Sequence, residues 1–94
     1  MMKIMFNTIS AYGVYSSNGF VATTTANQEF TFDGKVLNSL LVRSNASQIT
    51  VKINNDDYTF PIAAGDGMSF EGFRITKLTV LENNVQVSLS GTYF

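Results

Sequence analysis

From residue 49 to residue 93, apolar side chains recur mainly at every second position, the rhythm of half-buried β-strands. Ile49, Val51 and Ile53 fall on one face, Thr50 and Lys52 on the other. Asn54-Asn55-Asp56-Asp57 follows, a run whose side chains bond their own backbone in turns, and Tyr58, Phe60 and Ile62 then resume the apolar face. This segment predicts a hairpin. Its returning strand contains Pro61, which has no N–H to give to a ladder, so that strand belongs at a sheet edge or ends there. The cleanest alternation is the last: Val85, Val87, Leu89, Gly91 and Tyr93 against Gln86, Ser88, Ser90 and Thr92. Between these strands, Ala63-Ala64-Gly65-Asp66-Gly67 reads as a loop and Glu71-Gly72 as a turn or bulge. Glu82-Asn83-Asn84 reads as the turn of another hairpin. The parity changes between Ile75 and Leu78, which predicts a bulge near Thr76-Lys77 or a strand buried on both faces.

The first half is less regular. Residues 20–25 and 29–32 read as strands, the second closed by the turn signal Asp33-Gly34. Leu40-Leu41-Val42-Arg43 is a short apolar run; Val36, Leu37, Leu40 and Leu41 also fit helical spacing, which Asn38 and Ser39 weaken. With 94 residues there is room for a single core. The expected fold is all-β, an antiparallel β-sandwich or jelly roll of about seven to nine short strands. Residues 20–94 form its one domain, and residues 1–19 an N-terminal arm or edge strand.

Composition narrows the chemistry. Charged side chains make up 14% of the chain, against about 25% in an ordinary soluble domain. Ten Thr, nine Ser and nine Asn outnumber them more than twofold. A net charge of −1 argues against a nucleic-acid binder that works by its charge. The chain has no His and no Cys, which removes the usual zinc sites, thiol nucleophiles, disulfides and His-based triads. Nothing in Met1-Met2-Lys3-Ile4-Met5-Phe6-Asn7 reads as a secretory signal, and no apolar run reaches the roughly 20 residues of a membrane span. Synthesis in a cytoplasm is the expectation. A neutral polar coat over an interior with 12 aromatic residues suits a chain that packs among partners.

Few residues offer themselves for catalysis or binding. Asp56 and Asp57 would need alternating oxygen ligands to hold calcium, and a hairpin turn explains them without a metal. Asp66 and Glu71 form a conceivable glycosidase pair, and Gly65-Asp66-Gly67 lacks the Lys-Ser or Lys-Thr of a phosphate loop. The expectation is therefore no catalytic residue, no metal and no cofactor. Tyr12, Tyr15 and Tyr58 lie in polar surroundings and are the candidate partner or ligand contacts, as stacking surfaces for a protein or a sugar.

Tyr58-Thr59-Phe60-Pro61-Ile62-Ala63-Ala64-Gly65 is followed by Met68-Ser69-Phe70-Glu71-Gly72-Phe73-Arg74-Ile75-Thr76-Lys77-Leu78-Thr79-Val80-Leu81. With the terminal strand Val85–Tyr93, residues 48–94 resemble small bacteriophage virion proteins, such as head-decoration subunits and the capsid-bound base of head fibres. The resemblance implies a non-enzymatic structural subunit that acts in the virion by oligomerisation and by binding a capsid or tail protein. Closed symmetry and the local threefold positions of a capsid favour a trimer. Two other readings remain open, a small carbohydrate-binding β-sandwich and a free inhibitory or accessory protein that binds a host partner through a β edge.

Overall fold

The computed structural model of the chain describes residues 13–93, the side chain of Phe73 excepted. Nine strands form among them: β1 (Gly13–Ser16), β2 (Val21–Ala22), β3 (Gln28–Phe30), β4 (Leu37–Ser44), β5 (Ile49–Ile53), β6 (Phe60–Ile62), β7 (Gly67–Ile75), β8 (Leu78–Val80) and β9 (Gln86–Tyr93). They build two antiparallel sheets, the first in the order β1-β9-β4-β7 with β2 also on β9, the second in the order β3-β8-β5-β6. No helix forms among the described residues.

β1 and β2 are halves of one strand. Gly13 to Ser16 pair with Tyr93 to Ser90, and Val21 and Ala22 continue along β9 opposite Val87 and Gln86. The break between them is where Asn18 and Gly19 take φ of 58° and 109°. Ser17 spans it by donating its N–H to Leu89 O and accepting Leu89 N–H on Oγ. Counted this way, eight strands form two four-stranded sheets in the strand order of a jelly roll. Chain connections therefore cross between sheets almost everywhere. Among the described residues only β5 and β6 are joined as a hairpin, with Ile49 opposite Ile62 and Val51 opposite Phe60.

Each sheet turns one apolar face inward. Leu37, Leu40 and Val42 on β4, Val87 and Leu89 on β9, and Phe70 and Ile75 on β7 meet Ile49, Val51 and Ile53 on β5, Leu78 and Val80 on β8, and Ile62 on β6. Phe32, just beyond β3, is completely buried among them. At about 25 cal/mol per Å2 of apolar surface removed from water, this interior is the dominant favourable term in folding.

Several expectations are revised. Residues 37–41 belong to strand β4, because the face formed by Leu37, Leu40 and Val42 is satisfied by the opposite sheet, while Asn38 sits where the register shifts. Thr76-Lys77 is no bulge; the chain leaves the first sheet there and enters the second, and this exchange of sheets is what changes the parity. Glu82-Asn83-Asn84 closes no hairpin and carries the chain back from β8 to β9. Glu71-Gly72 is a bulge inside β7, with Gly72 at φ 81° and the pairing stepping from Leu37 opposite Ile75 to Ser39 opposite Glu71. The early strands are shorter than the predicted 20–25 and 29–32. Of the 1–19 segment, residues 13–16 are edge strand β1, and residues 1–12 lie outside the described residues.

Candidate functional site

The outer face of the first sheet is a set of cross-strand rows. Val14, Thr92, Ser39 and Glu71 form one, and Ser16, Ser90, Leu41 and Ser69 the next. Ser88, Arg43 and Gly67 form a third. The middle row carries no charge, and Glu71 and Arg43 are the charged groups of the three rows. Val14, at 73% exposure, is the most open large apolar side chain among the described residues. Ser39 Oγ and Thr92 Oγ1 lie 2.7 Å apart, and Thr92 Oγ1 also donates to Asn38 Oδ1. A shallow groove of about 270 Å3 lies here, walled by Ser39, Leu41, Ser69, Glu71, Ser90 and Thr92.

The second sheet is dressed differently. Glu29, Thr79 and Lys52 form its outer row, and the side chains of Lys77 and Glu82 lie against its elements. Glu82 accepts Thr50 N–H at 2.7 Å and the Thr50 hydroxyl at 2.8 Å, taking over the bonding of β5 where β8 stops. Lys77 Nζ reaches Glu29 at 3.1 Å and Asn55 Oδ1 at 2.7 Å. Arg43, Glu71 and Arg74 are the exposed charged residues on the strands of the first sheet, and the Ser16–Ser90–Leu41–Ser69 row between Glu71 and Arg43 is uncharged.

The sheet edges are blunted. Pro61 stands on β6, the Gly72 bulge bends β7, the break at Asn18-Gly19 interrupts β1/β2, and β3 is three residues long. Lys52 lies on the interior strand β5 and Lys77 in a crossover, so neither guards an edge.

The candidate tyrosines separate. Tyr15 turns inward from β1 and packs edge-on against Phe32, ring centroids 5.1 Å apart, so it belongs to the wall of the core. Tyr58 is 68% exposed in the β5–β6 loop and leans edge-on against Phe60 at 5.0 Å. Phe60 in turn meets Phe70 at 5.1 Å, a contact that closes the sandwich between the β6 and β7 edges. Since β1 and β7 are opposite edges of the first sheet, Tyr15 and Tyr58 do not share a surface. Tyr12 lies outside the described residues.

Turn and strand geometry place the two carboxylate pairs. Asp56 Oδ1 accepts Tyr58 N–H at 2.9 Å, the bond of an Asx turn. Asp66 and Glu71 are separated by five strand steps, about 17 Å at the rise of a β-strand, beyond the spacing of a glycosidase pair. Among the described residues no group of three or more acidic side chains gathers as a metal centre would. The outer face of the first sheet as a unit was not legible in the sequence, because its rows come from β1, β9, β4 and β7, which are distant in the chain. Comparison with protein-family models, curated proteins and solved structures found no match to this chain.

Proposed function

We propose that this chain is a non-enzymatic virion structural subunit of a bacteriophage, which associates with copies of itself and with a capsid or tail protein through the outer face of its first sheet. The observation that carries the reading is the uncharged, hydroxyl-rich row across the middle of the first sheet's outer face. Interface centres are depleted of charge, because an ion withdrawn from water without a partner costs several kcal/mol. The Ser16–Ser90–Leu41–Ser69 row can be covered with no such cost, since its hydroxyls rotate to meet either donors or acceptors. The jelly-roll strand order agrees with this reading, since that architecture recurs in viral shells and also in lectins; fold alone decides nothing about function. The blunted edges favour the face over a β edge as the route of association.

The test places a charge at the centre of the face. Wild-type protein is expected to sediment as a closed oligomer, a trimer by the symmetry argument, and to co-sediment with particles from the same source. Leu41→Glu should abolish both while leaving the melting temperature within a few degrees, because Leu41 is only half-buried. Lys52→Glu, on the opposite face, should change neither. A wild-type chain that is a strict monomer without affinity for particles would overturn the proposal.

A further inference from the structure

We infer that the β5–β6 loop is a binding site for a neutral hexopyranose ring, with Tyr58 as its stacking wall. A cavity of about 540 Å3 opens there, lined by Ile53, Asn54, Asn55, Asp56, Tyr58 and Phe60, within the size range of small-ligand sites. Its construction is half apolar and half polar. Ile53 and Phe60 supply the apolar floor. Tyr58 stands over them at 68% exposure, its ring fixed at 75° to that of Phe60, which is itself anchored on Phe70. An aromatic face is negative, and a pyranose turns a patch of C–H groups toward it.

The rim provides what the edge of a sugar needs. Asp56 spends Oδ1 on Tyr58 N–H, and Asn55 spends Oδ1 on Lys77 Nζ. Asp56 Oδ2, Asn55 Nδ2 and the Tyr58 hydroxyl are left without a protein partner among the described residues, one acceptor, one donor and one group that is both. The loop beneath is held in place. Asn54, at φ 55°, donates its side-chain amide to Arg74 O at 2.8 Å and accepts Thr76 N–H at 2.8 Å. A ligand therefore orders little on arrival.

Charge selects among ring-shaped ligands. Lys77 is the cation beside the rim, and Glu29 and Asn55 already hold it, while the Asp56 carboxylate faces the cavity. A nucleotide phosphate or an acidic sugar would meet repulsion, and a neutral ring would not. The site stands on the loop alone and is independent of how the first sheet is used.

The experiment titrates a panel of neutral methyl hexosides into the full chain at concentrations up to tens of millimolar and follows backbone amide shifts. At least one hexoside should move the resonances of residues 53–60 selectively. Tyr58→Phe should weaken that affinity about two- to tenfold, the loss of one rim hydrogen bond, whereas Tyr58→Ala should weaken it further, beyond about tenfold, through the loss of the stacking wall. Methyl glucuronide and AMP should bind more weakly than the neutral ring. The inference is overturned if no hexoside moves these resonances, if Tyr58→Ala binds as wild type does, or if either anion binds as tightly as the neutral ring.

Discussion

Thr23 is completely buried, and it is the polar side chain on which the return from β8 to β9 depends. Its Oγ1 accepts Val85 N–H at 3.0 Å and donates to Glu82 O at 3.0 Å. Its own N–H donates to Val85 O at 2.8 Å, and its carbonyl accepts Asn84 N–H at 3.2 Å. Thr23→Val keeps the branched shape and the rotamer but removes the hydroxyl. Val85 N–H is then stranded in a buried position, at a cost of about 1–3 kcal/mol. Glu82 is only half-buried, so water can reach its carbonyl and soften that second loss. The new methyl returns at most about 0.8 kcal/mol. The net is about 2 kcal/mol of destabilisation, or a fall in Tm of about 10 °C for a domain of this size. Thr23→Ser keeps both hydrogen bonds and gives up one methyl, about 1 kcal/mol. Thermal melts of the three proteins should rank wild type above Thr23→Ser above Thr23→Val, and amide exchange at Val85 should accelerate in Thr23→Val alone. If Thr23→Val melts at or above Thr23→Ser, packing rather than hydrogen bonding governs this corner and the reasoning fails.

Two further outcomes are expected. A Cβ on Gly91 would press into the backbone carbonyl of Ser39 and sit 3.0 Å from Leu37 Cδ1, so Gly91→Ala should cost about 3 kcal/mol by urea titration, whereas Gly34→Asn, at φ 77° in open space, should cost under about 1 kcal/mol. The Lys77–Glu29 pair leaves Glu29 58% exposed, so Glu29→Gln should change stability by less than about 1 kcal/mol, and the difference should vanish in high salt.

Local patterning made the strands legible and concealed their assignment to sheets. The β5–β6 hairpin and β9 follow the alternation closely, and Pro61 marks a true edge. Alternation records which way a side chain points relative to its own strand and nothing about which sheet receives that strand. Asn-rich turns serve hairpins and crossovers alike, so Asn54–Asp57 and Glu82–Asn84 look the same in sequence while one stays in its sheet and the other leaves it. The parity change at Thr76-Lys77 was the one audible sign of a crossing, and β8, with Leu78, Thr79 and Val80 all buried, is indeed covered on both faces. Leu37 and Leu40 suited a helix equally well because the bulge at Asn38 puts an extra residue between two inward positions of β4. Of the candidate site, Tyr58 was readable from its polar neighbours. Tyr15 sits in similar company but faces Phe32, and Thr23 was indistinguishable from nine other threonines until its partners came together.

The middle of each sheet is filled late in the chain: β8 separates β3 from β5, and β9 separates β1 and β2 from β4. β5 can pair with β6 and β4 with β7 before then, but β1, β2 and β3 have no described partner until residues 78–93 are inserted. Nearly all pairings thus join distant parts of the polypeptide, and loop-closure entropy must be met before any contact rewards it. The chain should acquire its structure slowly and all at once, and a nascent polypeptide stopped before Leu78 should behave as an unfolded one.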